Sequence, residues 1–258
     1  MSNFEFLRKY FRLQKDIKFD EELDFDFALA GYSLMDQSVY WNSALTNQIL
    51  DEVGLSKIEE FFRSKQRISS VYFEKTEVLN TLVERLVQRG YKKEWEDCWQ
   101  FWNNGKIDPR HFENIKKVET PEDLQTFLKT FDASYQKDDP QNPYGELGDY
   151  LRTAEDAWYR HKGTGRLEYF VVYDKDRPVA VSSFTNFEGL GYISNVGSLR
   201  EVRGKGFGKA ATLFCVDQSM KNGNREHCLA TEEGAYPDEF YKRIGFVTRF
   251  RAEGYTKK

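Results

Sequence analysis

The sequence predicts an α/β (α+β) fold in which a mixed, mostly antiparallel sheet is flanked by helices. Extended runs at 167–173, 178–185 and 191–199 are separated by short polar turns, which is typical of successive antiparallel strands. Thr120 and Pro121 form a helix start before a segment whose apolar residues recur at helical spacing. A glycine-rich stretch joins the last extended run to another helical segment, and this order of elements predicts the fold class.

The length of 258 residues allows two domains of ordinary size. The turn-rich segment 103–110 is the best boundary, so we expect one domain over 1–110 and a second over 111–258. The second domain is expected to carry the chemistry, and the first to be a supporting α/β domain.

The first half alternates helical and extended patterns, with a loop-rich part between residues 33 and 47. The spacing predicts helices over 4–18, 49–65 and 78–89, and strands over 21–30 and 68–73.

The aromatic residues within 91–101 are an even number of positions apart, so they would share one face of a strand. However, Trp95, Trp99 and Trp102 also fit a helix. An internal comparison favours the strand. The segment 86–91 looks like 241–246, and both read as helix, glycine, aromatic residue and strand.

Composition limits the functional classes. A net charge of −4 argues against a nucleic-acid binder, and no apolar run reaches the roughly eighteen residues of a membrane span. The first residues lack the basic and apolar regions of a secretory signal, so a cytoplasmic protein is expected. Cysteine and histidine spacing predicts reduced, mostly buried thiols, no metal site and no catalytic histidine; these residues are Cys98, Cys215, Cys228, His111, His161 and His227.

The stretch 202–211 contains three glycines and three cations between a strand and a helix, which is the chemistry of a polyphosphate cradle. A Walker loop is excluded because Arg203 and Ala210 stand where glycine and Ser or Thr are required. A Rossmann fingerprint fits superficially, with Glu226 about twenty residues after Gly206. However, only about fifty residues follow Gly208, too few for the rest of a doubly wound domain.

The pattern Arg203-x-x-Gly206-x-Gly208 closely resembles the acyl-CoA pyrophosphate signature of the GNAT superfamily of N-acyltransferases. A second anchor, the segment 240–246, lies one helix, one strand and a short loop further on, and the resemblance covers roughly 115–258. It implies a GNAT catalytic domain over 111–258. The internal comparison then makes 1–110 a degenerate GNAT-like unit, so two GNAT-like domains in tandem are expected.

The resemblance also implies a cofactor, acetyl-CoA, as acyl donor. Its pyrophosphate would bind the backbone of Arg203, Gly204, Lys205, Gly206, Phe207, Gly208 and Lys209. Its pantetheine would pair with main-chain groups of Val196, Gly197, Ser198 and Leu199, and an N–H near Gly197 would bind the oxyanion.

Tyr241 matches the family's usual general acid, although it can also simply pack against the cofactor. Glu232 follows a strand whose end borders the acceptor cleft in this family. It is a candidate for orienting or deprotonating the amine, and the alternative is a solvated loop acid. The expected activity is transfer of acetyl to a small-molecule or protein amine by direct attack in a ternary complex. A non-catalytic acyl-CoA-binding regulatory module and a nucleotide-dependent oxidoreductase remain alternatives.

Overall fold

A computed structural model describes every residue of the chain, from Met1 to Lys258. The chain divides into two compact units, and each is described by itself below. Unit 1 comprises Met1–Cys98 and Phe250–Lys258, and unit 2 comprises Trp99–Arg249. In none of the helices is there a stretch both long and apolar enough to cross a membrane.

Unit 1 begins with a helix whose N-terminus is fixed by a capping box between Ser2 and Glu5. Its elements are α1 (Asn3–Gln14), β1 (Glu21–Asp24), β2 (Leu29–Tyr32), β3 (Ser43–Leu45), α2 (Glu52–Ser64), β4 (Ser69–Glu74), α3 (Asn80–Gln88) and the start of β5 (Lys92–Trp102).

Two expectations for this unit need correction. Residues 21–30 were expected to form one strand, but β1 and β2 form an antiparallel hairpin with Asp24 opposite Leu29. The turn is possible because Asp26 adopts a left-handed conformation, φ 68°, which aspartate tolerates. The loop-rich segment also contains a strand, β3, which pairs in parallel with β4. The helices and the strand over 91–101 were predicted to within a few residues.

Unit 2 contains the glycine-rich stretch. Its elements are β6 (Ile115–Lys117), α4 (Pro121–Ser134), α5 (Tyr150–His161), β7 (Leu167–Asp174), β8 (Arg177–Phe187), β9 (Leu190–Ser198), α6 (Phe207–Lys221), β10 (Glu226–Glu232), α7 (Tyr236–Ile244) and the first four residues of β11 (Phe246–Lys257). The predicted start of α4 is confirmed, because Thr120 caps it and forms a capping box with Asp123.

The sheet of unit 2 runs β6-β7-β8-β9-β10, antiparallel except for the parallel pair β9 and β10. Side chains alternate between the two faces of a strand, so Tyr169 and Phe170 of β7 point in opposite directions. Phe127 of α4 stacks on Tyr169 at 4.3 Å between ring centroids, and Phe214 of α6 meets Phe170 at 5.1 Å. Helices α4 and α6 therefore cover opposite faces, and the predicted fold class is confirmed.

The two units repeat one order of elements. In unit 1, β3, α2, β4 and α3 are followed by Gly90 and β5; in unit 2, β9, α6, β10 and α7 are followed by Gly245 and β11. Both glycines have left-handed backbones, with φ 93° and 115°. Strands β3 and β4 are parallel, as are β9 and β10. The sequence similarity between 86–91 and 241–246 thus corresponds to equivalent elements.

Candidate functional site

The parallel strands β9 and β10 separate along their length. They pair only at Leu190, Gly191 and Tyr192, opposite Glu226, His227 and Cys228. Beyond these positions β9 continues to Ser198 and β10 to Glu232, but the two strands no longer pair with each other. The edge of β9 that faces away from β8 therefore has backbone groups outside the ladder, and such groups are available to a ligand.

A β-bulge deforms this part of β9. The register against β8 shifts between Val181 and Ser183, which pair with Gly197 and Ser194, so β9 contains one extra residue. Asn195 occupies the bulge with φ 53°. The irregularity expected near Gly197 is confirmed, although the unusual conformation belongs to Asn195.

Two tyrosines hold the bulge. The hydroxyl of Tyr135, at the end of α4, donates to the Val196 carbonyl at 2.9 Å. The hydroxyl of Tyr150, at the start of α5, donates to Oδ1 of Asn195 at 2.6 Å. These bonds fix the local direction of β9.

Gly197 is required by close packing rather than by its own conformation. A Cβ placed on it would lie 2.7 Å from Cβ of Ser134 and 3.1 Å from the Tyr135 ring. The glycine therefore lets the C-terminal end of α4 approach β9.

The glycine loop ends at an uncapped helix. Gly204 and Gly206 have φ of 80° and 92°, which favours glycine, and Gly206 is the N-cap of α6 without a side chain to cap it. The first helical bond is from the Ala210 N–H to the Gly206 carbonyl at 2.9 Å. The N–H groups of Phe207, Gly208 and Lys209 have no protein acceptor, so this helix end can bind an anion.

Arg203 is held by a buried acid. Its guanidinium makes two bonds to the Asp139 carboxylate, one of them 2.6 Å from Nη1 to Oδ1. The Asp139 side chain is 3% exposed, and the bonds from Arg203 are the main cause that lowers its pKa. Arg203 thus connects the glycine loop to the loop after α4.

The other cations of this region differ in their partners. Nζ of Lys209 lies 3.4 Å from Oδ2 of Asp108, and the Arg243 guanidinium lies 5.7 Å from the centroid of the Tyr236 ring. Lys205 is exposed. Arg243 and Lys205 have no carboxylate partner, so they leave positive charge near the helix end.

Tyr241 lies on α7 and is 8% exposed, packed between the rings of Phe240 and Phe246 at 5.1 and 5.8 Å. Its hydroxyl has no hydrogen-bond partner in the protein. Burial raises its pKa well above 10, and the nearby phenols of Tyr135 and Tyr144 raise it further. The phenol therefore stays protonated at neutral pH.

Gln100 helps to place α7. Its Nε2 donates to Oδ1 of Asp238, one turn before Tyr241, at 2.5 Å. The Asp238 carboxylate also accepts from the Gly234 N–H at 3.1 Å. Both bonds fix the start of the helix that carries Tyr241.

A cavity of about 340 Å³ joins these features, within the size range of ligand pockets. Of the residues expected in the site, it brings together Val196, Gly197, Ser198, Arg203, Gly204, Gly206, Phe207, Gly208, Lys209 and Tyr241. Leu199, Lys205 and Glu232 do not line it. The N–H of Leu199 already donates to the Val179 carbonyl at 2.9 Å.

Glu232 has an exposed side chain at the end of β10. Its backbone N–H, however, lies 3.4 Å from the Tyr144 hydroxyl, and Tyr144 lines the cavity. The structure therefore brings the Glu232 backbone towards the cavity and leaves the carboxylate in solvent.

Sequence reasoning missed Tyr135, Tyr144, Asn195 and Asp139. Three of them lie in or beside 137–148, which reads only as a polar loop with two prolines and two glycines. Asp139 and Arg203 are 64 residues apart, and no local pattern links them. Only the left-handed Asn195 could have been anticipated from the sequence, because a glycine inside the predicted strand follows it two residues later.

Residues 126–246 match the model of the acetyltransferase (GNAT) family. The match includes the glycine loop, the bulged strand and Tyr241. Residues 126–246 form a GNAT acetyltransferase domain. The expectation of an acyltransferase is thereby confirmed. No curated protein matches the sequence.

Solved GNAT structures share the fold of nearly the whole chain. A GCN5-related N-acetyltransferase from Kribbella flavida is 17% identical with TM-score 0.67, covering 97% of this chain and 94% of its own. One from Sphaerobacter thermophilus is 17% identical with TM-score 0.60, covering 89% and 76%. A tandem GNAT protein from the clavulanic acid biosynthesis pathway, solved without AcCoA, is 14% identical with TM-score 0.53, covering 89% and 77%.

These likenesses support a tandem arrangement of GNAT-like units in this chain. The strand pairing argues against the alternative of a Rossmann oxidoreductase. A Rossmann sheet is mostly parallel, whereas the strands around the glycine loop are antiparallel apart from the pair β9 and β10.

The packing at Gly197 gives a direct test. Gly197→Ala is expected to lower the free energy of unfolding by about 1–3 kcal/mol, because the new methyl overlaps Ser134. Adding Ser134→Gly should restore part of that loss, as measured by urea denaturation of the single and double variants. Equal destabilisation with and without Ser134→Gly would contradict the contact.

Proposed function

We propose that the GNAT domain transfers an acetyl group from acetyl-CoA to a primary amine by direct attack in a ternary complex. One observation carries the proposal: an uncapped glycine-loop helix, an unpaired strand edge and the unpartnered Tyr241 hydroxyl meet in one cavity. The first suits a pyrophosphate, the second an extended amide chain and the third a leaving thiolate.

The pyrophosphate would bind the N–H groups of Phe207, Gly208 and Lys209. Arg203 adds positive charge beside them, but its guanidinium donates to Asp139, so its direct contribution to the phosphates is limited. Lys205 and Arg243, which have no carboxylate partner, would screen the phosphates and the rest of the nucleotide. Lys209 would add to this, although its Nζ also lies 3.4 Å from Oδ2 of Asp108.

The pantetheine would extend along the unpaired edge of β9, beside Val196, Gly197 and Ser198. Backbone amides there can exchange hydrogen bonds with the cofactor amides as in an added strand. The Val196 carbonyl already accepts from Tyr135, yet a carbonyl oxygen has a second lone pair for the cofactor. Gln141 supports a ligand here too, since its buried Oε1 in the cavity wall has no partner.

In the reaction the neutral amine nitrogen would attack the thioester carbon, and the carbon–sulfur bond would break. A backbone N–H near Gly197 would stabilise the oxyanion. Tyr241 would give its proton to the departing sulfur, and the attacking amine would release one proton to water or to a base. Burial keeps the Tyr241 phenol protonated for this role.

Glu232 is proposed to orient the amine electrostatically from the acceptor side. Glu232→Gln should then weaken acceptor affinity by several-fold and leave CoA affinity unchanged, because the exposed carboxylate lies outside the cavity. Steady-state kinetics with an acceptor found by amine screening would measure this. An unchanged KM for that amine would remove Glu232 from the site.

A substitution at Gly208 tests the phosphate site, because it should raise the stability of the protein and lower its affinity for CoA. Its backbone is helical, and an added Cβ would lie 3.7 Å from Oγ of Ser198, so a side chain fits. Gly208→Asp should raise stability by about 0.3–1 kcal/mol, because a carboxylate at a helix N-terminus is favourable. The same carboxylate should weaken CoA binding at least about tenfold, since it opposes the pyrophosphate.

The neutral variant Gly208→Asn is the matched control for size. Calorimetric titration with CoA should show a smaller loss for Asn than for Asp. If both variants bind CoA as the wild type does, the phosphates do not lie at this helix end.

Tyr241→Phe tests the proton donor. Removing the hydroxyl should lower kcat for acyl transfer by about 10²–10⁴-fold with little change in stability or CoA affinity, because the hydroxyl has no protein partner. The wild-type kcat should not fall on the alkaline side until above pH 10, since deprotonation removes the acid and burial raises its pKa.

Tyr159→Phe, on the exposed side of α5, is the control and should behave as the wild type. An unchanged kcat in Tyr241→Phe would remove the acid role. CoA binding with no transfer to any amine in the wild type would instead favour a regulatory acyl-CoA-binding module.

A further inference from the structure

The Asp139–Arg203 pair lies between two parts of the site with different tasks. Arg203 leads into the glycine loop, and Asp139 lies in the loop of residues 136–148 that follows α4. The Asp139 side chain is 3% exposed and that of Arg203 is 20% exposed, so little water competes for this pair. Two parallel bonds fix the planar guanidinium in orientation as well as distance.

The loop 136–148 is internally bonded from Asp139 to Tyr144. Oδ1 of Asp139 also accepts from the Gln141 N–H at 3.0 Å, and its carbonyl accepts from the Asn142 N–H at 2.9 Å. The Asn142 side chain donates to the carbonyl of Gly145 at 2.8 Å and accepts from the Tyr144 N–H at 3.1 Å. A chain of hydrogen bonds through Asn142 therefore links Asp139 to Tyr144.

Tyr144 lies at the other end of the site. Its hydroxyl is 3.4 Å from the N–H of Glu232, its ring is 6.3 Å from that of Tyr135, and it lines the same cavity as Tyr241. Tyr144 is also 47% exposed, so it is accessible to an incoming acceptor. The loop therefore connects the phosphate end of the cavity to the end of β10.

We propose that Asp139 is a positioning residue that couples the two ends of the site: through Arg203 it ties the loop 136–148 to the glycine loop, so that phosphates bound there fix Tyr144 for the acceptor. This inference rests on the proposed acyl-CoA site. It predicts that donor binding orders the acceptor side before the amine arrives.

Hydrogen–deuterium exchange of the full chain, with and without CoA, tests the coupling without an identified acceptor. In the wild type, CoA should slow exchange of amides in both 204–210 and 141–146. In Asp139→Asn, CoA should still protect 204–210, but its protection of 141–146 should fall by about fivefold or more. Asp138→Asn, an exposed neighbour on the same loop, is the matched control and should keep both effects.

Arg203→Lys provides a second, milder variant, because lysine keeps the charge and loses the planar fork. Arg203→Lys should reduce the protection of 141–146 as Asp139→Asn does. The double variant with both substitutions should lose no more of this protection than either single variant. This non-additivity distinguishes a coupled pair from general loosening of the loop.

The outcomes separate this inference from the proposed function. Protection of 204–210 without protection of 141–146 in the wild type would overturn the coupling alone. So would an Asp139→Asn variant in which CoA protects 141–146 as in the wild type, or an equal loss in Asp138→Asn. No protection of 204–210 in the wild type would overturn the donor site and the coupling together.

Discussion

The uncapped N-terminus of α6 is the feature on which the rest of the site depends. Unit 1 has an equivalent helix, α2, in the same position between parallel strands, but there Oδ1 of Asp51 accepts from the Gly54 N–H at 2.8 Å. That helix supplies its own anion. In α6 the corresponding place is held by Gly206, which offers only backbone. This contrast gives a physical reason why the phosphate site is proposed in only one of two similar units.

The separation of β9 from β10 provides the second feature of the proposed site, a strand edge with unpaired backbone groups. A strand that leaves its neighbour exposes polar backbone, which is costly unless something satisfies it. The Tyr135 hydroxyl satisfies the Val196 carbonyl, the Tyr150 hydroxyl holds the Asn195 side chain at the bulge, and the close approach at Gly197 holds α4 against β9. The remainder is left for a ligand. The aromatic surroundings that shape this edge also bury Tyr241, so the same packing that forms the cleft keeps the proposed acid protonated.

Local patterns predicted what depends on local physics. The glycine loop, the capped start of α4, the C-terminal glycine of α7 and the bulge near Gly197 all follow from residue type and spacing. The prediction of one strand over 21–30 was wrong. The alternation of apolar residues suggested a continuous strand, but the chain turns at the left-handed Asp26. The contacts of Asp139 with Arg203 and of Tyr135 with Val196 join residues 64 and 61 positions apart, so only the folded chain brings them together.

In the proposed function, the glycine loop and the free edge of β9 bind one acyl-CoA molecule. A crystal structure of the wild-type protein with acetyl-CoA tests it most directly. We expect the pyrophosphate at the N–H groups of Phe207, Gly208 and Lys209, the pantetheine along Val196 to Ser198, and the thioester sulfur beside the Tyr241 hydroxyl. Acetyl-CoA bound elsewhere, or bound here with its sulfur remote from Tyr241, would contradict it.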